Sequence, residues 1–301
     1  MFSDGLLWIP ITLAATAAQV VRTAKQHELR NYLSALGAAY VRFLFAWPLA
    51  AVLLGANLLI APQNLGLSAR FAIWIFTAAL VQIAGTVLLL QAFRARDFAI
   101  GTVYSKAEVI LVATGSAIFL EEPLRPVGWL GAALVATGVF LLAAKSGVTN
   151  TLKNWGEPAA WFGVAAGLFF ALSAIAIRGA STSLAFGSTW DRTSVTLFAL
   201  ISTQCLLNGA VLYLNNRHEL KEIWTHRRKC FPVGFLSFAG TTGWIAAMTI
   251  TSATKVRTLG QLEIVAAFFI SLFHLKEQRF PRDYLGSALV FVGILLVIAL
   301  G

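Results

Sequence analysis

Two glutamates, Glu108 and Glu263, stand in the middle of long apolar stretches, and the other eleven of the thirteen acids do not. An ionisable group at such depth is costly and by default marks a functional site. A carboxylate held there takes up a proton or pairs with a cation. Either behaviour suits a transport cycle, by proton exchange or by capture of a cationic group on a substrate. The competing reading is structural: Lys106 or another base neutralises Glu108 and locks two helices together.

The flanking residues differ between the two sites. Val103-Tyr104-Ser105-Lys106-Ala107-Glu108 is the most polar mid-stretch segment of the first half, and Thr258-Leu259-Gly260-Gln261-Leu262-Glu263 is its counterpart. Tyr104 and Glu108, four apart, share a helix face; Lys106, about 200° from Glu108, points elsewhere. Tyr104, Lys106, Gln261 and the deep aromatic Trp244 are the candidates to complete a site with the two acids. Arg42 lies inside an apolar stretch. Snorkelling to the interface is the bland account of Arg22, Arg42, Arg178 and Arg192; the sharper one has Arg22 or Arg42 bind a substrate carboxylate. Lys255 and Arg257 are expected at the interface, and Gln19, Gln82, Gln91 and Gln204 as glue between helices.

Enzyme signatures are missing: no Gly-rich phosphate loop, no metal-spaced His/Cys cluster and no nucleophile elbow. No cofactor or metal is implied, and the expectation is a protein that is not an enzyme.

The elements that hold these residues are membrane spans. Of 301 residues, 58% are hydrophobic and 12% charged, about half the charged fraction of a soluble domain. Apolar runs of about 20 residues recur throughout, the length needed to cross a bilayer. Ten spans are predicted, at 6–24, 35–60, 69–92, 98–120, 125–144, 159–178, 190–214, 232–252, 256–275 and 282–300, all α-helical because lipid offers no partner to backbone groups. The net charge of +10 comes from basic residues scattered over short connections. That distribution indicates topology rather than nucleic-acid binding.

The chain also contains itself twice. Residues 84–144 match 239–299 at a constant offset, with 17 identities in 61 positions. The matches align Glu108 with Glu263, Gly131 with Gly286 and Gly138 with Gly293. Five spans per copy is an odd number, so the second copy must enter the membrane in the opposite sense, as in many secondary transporters. The fold class is therefore all-α integral membrane, ten transmembrane helices as two inverted five-helix repeats. Residues 1–144 form the first repeat, 145–158 a linker and 159–301 the second repeat. Lys and Arg concentrate in the odd-numbered connections, above all 215–231, which puts those connections in the cytoplasm and both termini outside. A monomer or weak homodimer in a bacterial inner membrane is expected.

Phe119-Leu120-Glu121-Glu122-Pro123-Leu124, followed by Gly131 and Gly138, resembles the repeated EamA-type signature of the drug/metabolite transporter superfamily. Phe273-His274-Leu275-Lys276-Glu277, followed by Gly286 and Gly293, is the second copy, and Val41-Arg42-Phe43-Leu44-Phe45-Ala46 resembles that family's second span. The resemblance implies a central cavity, alternating access and export of amino acids, other metabolites or drugs. Many members carry proline where this chain has Glu108 and Glu263, so their substrates do not transfer. The resulting expectation is a secondary exporter of a small polar metabolite such as an amino acid or amine, with protons as candidate coupling ion. The alternative is a proton-coupled multidrug exporter of lipophilic cations.

Overall fold

The computed structural model describes residues 6–60, 66–95, 108–143, 158–185, 187–266 and 281–301. Tyr104, Lys106 and nearly all of the linker lie outside the described residues. The described chain is all-helical: α1 Trp8–Glu28, α2 Ala35–Leu44, α3 Trp47–Ile60, α4 Ala69–Ala95, α5 Glu108–Phe119, α6 Pro126–Ala143, α7 Pro158–Ser183, α8 Thr189–Asn215, α9 Arg217–Thr225, α10 Arg227–Ile250, α11 Ala253–Gly260 and α12 Pro281–Leu300. Helical segments fall within each of the ten expected spans. Six stretches among the described residues are long and apolar enough to cross a membrane, counting α2 and α3 as one.

Local chemistry sets the boundaries. Pro48 has no N–H for the Leu44 carbonyl and its ring crowds that group, so the second span divides into α2 and α3 at Phe45–Ala46. Ser34 caps α2 by accepting from the Gly37 N–H at 3.0 Å. Ser188 and Asp191 form a capping box on α8. The eighth span starts earlier than expected: α10 begins at Arg227 and carries Pro232 within it. α5 ends in a left-handed turn at Glu121 (φ 56°), with the Glu122 N–H donating back to the Ser116 carbonyl.

Small residues let the helices meet. α6 packs along α12, and a Cβ added to Gly131 would stand 2.7 Å from the Gly293 carbonyl oxygen. One added to Gly138 would stand 2.5 Å from that of Gly286. Residue numbers rise along α6 as they fall along α12, so the two helices run antiparallel. Each glycine of one copy meets the non-equivalent glycine of the other, as a twofold axis between the helices requires. In lipid such close backbone approach supplies the van der Waals contact that holds helices together. Elsewhere α4 packs on α7 as α10 packs on α1, and α5 packs on α7 as α11 packs on α1. The packing is thus preserved when the two copies are exchanged.

Candidate functional site

Glu108 opens the described part of α5 and is 4% exposed. Its partner comes from the other half of the chain. Arg257 donates from Nη2 to Glu108 Oε2 at 2.6 Å, and Gln261 donates from Nε2 to Oε1 at 3.3 Å. Both belong to the ninth span. Ser252 caps α11 through the Lys255 N–H, which sets where the helix begins. Thr254, Arg257, Thr258 and Gln261, spaced i, i+3, i+4 and i+7, then form one buried polar stripe.

Arg257 therefore faces the protein interior and not the surface that its place near the start of a span suggests. It is buried, its guanidinium carbon 4.8 Å from the centre of the Trp244 ring. Trp244 is buried too, and its Nε1 donates to Gln19 Oε1 at 3.1 Å. A Cβ on Gly260 would press on the Trp244 ring at 2.7 Å, so glycine is what admits the indole beside the arginine.

α1 supplies the facing wall. Thr12, Thr16, Gln19, Arg22 and Gln26 recur at helical spacing and form its polar stripe; among them Thr12, Thr16, Arg22 and Gln26 are buried. Gln26 donates to the Ala38 carbonyl at 2.8 Å, one turn before Arg42 on α2. Arg42 is 4% exposed and donates from Nη1 to Thr86 Oγ1 at 2.8 Å. Snorkelling needs a path to the surface, and neither Arg22 nor Arg42 has one in this conformation. On the α8 side, Gln204 donates to Gln82 Oε1 at 2.6 Å, the role of glue expected of both.

The sequence-predicted residues thus divide. Glu108, Gln261 and Trp244 come together around Arg257, which the sequence reading left at the interface. Arg42, on α2, makes none of these contacts and is bonded to Thr86 instead. Glu263 is half-buried, in contrast to its repeat-mate Glu108. The missed signal was the period of four polar residues at 254, 257, 258 and 261, which an interfacial start to the span does not require.

A second cluster ties the helix ends. Arg178 donates from Nε and Nη2 to Glu122 Oε1 at 3.0 and 2.8 Å, and from Nη1 to the Met248 and Thr249 carbonyls at 2.6 and 3.1 Å. It therefore closes the C-terminal end of α10 with a cation, where the helix dipole favours one. At the opposite ends of the helices, Glu219 accepts from the Ser34 N–H and hydroxyl and from Asn216. Among the described residues no group of His, Cys, Asp and Glu is placed to hold a metal ion.

Comparison with known proteins fits this arrangement. A model of the EamA-like transporter family matches residues 5–144 and again 157–299. One solved crystal structure superposes with a TM-score of 0.66 over 99% of both chains at 15% sequence identity, which shows a shared fold. No curated protein matches the sequence significantly.

Proposed function

The chain belongs to the EamA-like transporter family, a family of transporters rather than enzymes, and from that premise we propose that it is a secondary transporter exporting a small polar metabolite such as an amino acid or amine. Family membership makes it a multi-pass membrane protein that moves small molecules across a lipid bilayer. The finer reading is alternating access between two inverted five-helix repeats, 1–144 and 159–301, joined by 145–158. The antiparallel glycine contacts of α6 and α12 support it. In this reading Glu108 exchanges protons against its bond to Arg257, and Gln261, Trp244, Tyr104, Lys106 and Glu263 complete the path. A bacterial inner membrane, external termini and a monomer or weak homodimer accompany it.

The observation that carries this reading is the Glu108–Arg257 ion pair, buried between one repeat and the other. Replacing such a pair by apolar residues is often neutral or stabilising, so stability alone gives little reason to keep it. A pair that spans the two moving parts can open and close with them. Reconstituted protein should show flux that depends on a pH gradient and loses that dependence in Glu108→Gln. Normal coupled flux in the Glu108→Gln, Glu263→Gln double variant reduces both carboxylates to structural roles. Export of lipophilic cations is the weaker alternative: Trp244, the aromatic face such a cation would use, is already covered by Arg257.

A further inference from the structure

Three guanidiniums lie in the interior: Arg22, Arg42 and Arg257 are 7%, 4% and 9% exposed. Glu108 answers one of them. The other buried acids among the described residues are occupied near helix ends: Asp191 by Ser188 and Asn57, Glu219 by Ser34 and Asn216, and Asp283 beside Arg282. Among the described residues, then, the buried Arg22 and Arg42 have no buried acid bonded to them.

Their placement is connected. Arg22 sits between Gln19 and Gln26 on the polar face of α1. Gln19 reaches Trp244, on which Arg257 lies, and Gln26 reaches the turn that carries Arg42. Arg22 also feels the charge of Arg257, and Arg42 that of Arg22. The Nε atoms of all three arginines are buried without a hydrogen-bond partner, and so are Thr254 Oγ1 and Thr258 Oγ1 on α11 and Gln261 Oε1 at its C-terminal end. Unpartnered buried donors and uncompensated charge are each unfavourable. A ligand that supplies acceptors and negative charge relieves both.

We propose that Arg22, Arg42 and Arg257, with the polar stripe of α11, bind a small organic anion carrying one or two carboxylates, and that Glu108 is the resident counter-ion it displaces from Arg257. The proposal rests on the transporter reading and narrows it: an amino acid or dicarboxylate fits, and a simple amine does not. Guanidinium presents paired donors that match a carboxylate edge, which an ammonium cannot reproduce. Arg257 passes from an internal carboxylate to an external one, and Glu108, buried and released from its partner, takes up the proton that the transport reading assigns to it.

The test is thermal unfolding of the purified full chain in detergent at constant ionic strength. The probes are succinate and L-glutamate against cadaverine and tetraethylammonium. A carboxylate should raise the melting temperature saturably, by several degrees at about a hundred times its dissociation constant, because it binds only the folded state. The cations should not. Arg42→Gln should weaken carboxylate binding tenfold or more, Arg42→Lys should restore part of it, and Glu108→Gln should tighten it by freeing Arg257. A folding defect would not produce this opposition of signs. Saturable stabilisation by the cations, no saturable stabilisation by either carboxylate, or unchanged carboxylate affinity in Arg42→Gln overturns the proposal. Counterflow in proteoliposomes judges the parent reading separately. Cadaverine flux without carboxylate binding sinks the anion site and keeps the transporter; carboxylate binding with no flux of any probe does the reverse.

Discussion

Glu108 and Glu263 hold the same register in two copies of one segment, and their surroundings differ. Glu108 is sealed against Arg257 and Gln261. Glu263 is half-buried, three residues past the end of α11. The residues equivalent to Arg257, Gln261 and Trp244 in the first copy are Thr102, Lys106 and Leu89. A second contrast runs parallel. Segments Ala15–Arg22 and Ala171–Arg178 match in sequence, and each ends in arginine. Arg178 is satisfied by Glu122 and two carbonyls, whereas Arg22 makes a 3.5 Å contact to Thr23 and leaves Nε unpartnered. Duplication therefore reproduced helices and their packing, while the polar interior was assigned unequally. Backbone packing depends on small residues that tolerate exchange; a charge site depends on single side chains that one substitution removes.

The largest expected effect comes from breaking the first contrast. Glu108→Ala leaves Arg257 buried and alone, which costs about 3–5 kcal/mol. Glu263→Ala should cost well under half of that, because a half-buried group keeps access to other partners. Thermal unfolding of both variants in one detergent decides it, and equal losses would erase the asymmetry.

The second contrast predicts opposite signs. Arg178→Gln should lose about 1–2 kcal/mol, since Glu122 and the α10 carbonyls lose a charged donor. Arg22→Gln should gain about 1 kcal/mol, because it removes a buried charge with little to hold it. Matching losses in both would mean that Arg22 has the same structural role as Arg178. The smallest effect belongs to the turn after α5. Glu121 has φ 56°, a conformation that suits glycine, so Glu121→Gly should stabilise by about 1 kcal/mol, read as a higher melting temperature with binding unchanged.

Much of the fold was legible in the chain. Apolar runs of span length fixed the membrane class, and the constant offset between copies exposed the repeat. The glycines at 131, 138, 286 and 293 marked the helices that touch most closely. The site was legible in part. Glu108 stood out by depth, and Gln261 and Trp244 by their place near the second copy of its segment. The partner did not stand out. Arg257 sits one residue inside the expected boundary of its span, where arginines commonly reach the surface, and Lys106 competed as the base for Glu108 because it is close in sequence. Glu121 and Glu122 lie side by side in the chain, yet Glu121 forms the turn and Glu122 holds Arg178.

By itself the sequence determined that this chain crosses a membrane, that it is built of two related copies, and that a carboxylate interrupts an apolar stretch in each. These follow from hydropathy, period and repetition, which are properties of the chain read in order. Only the tertiary structure decided which base meets Glu108, that three guanidiniums are enclosed together, and that one acid of the pair is sealed and the other is not. Those outcomes depend on how far apart helices come to rest and how each is rotated. Arg257 reaches Glu108 across 149 residues of chain because α11 packs on α5 with that face inward, and no local pattern encodes that meeting.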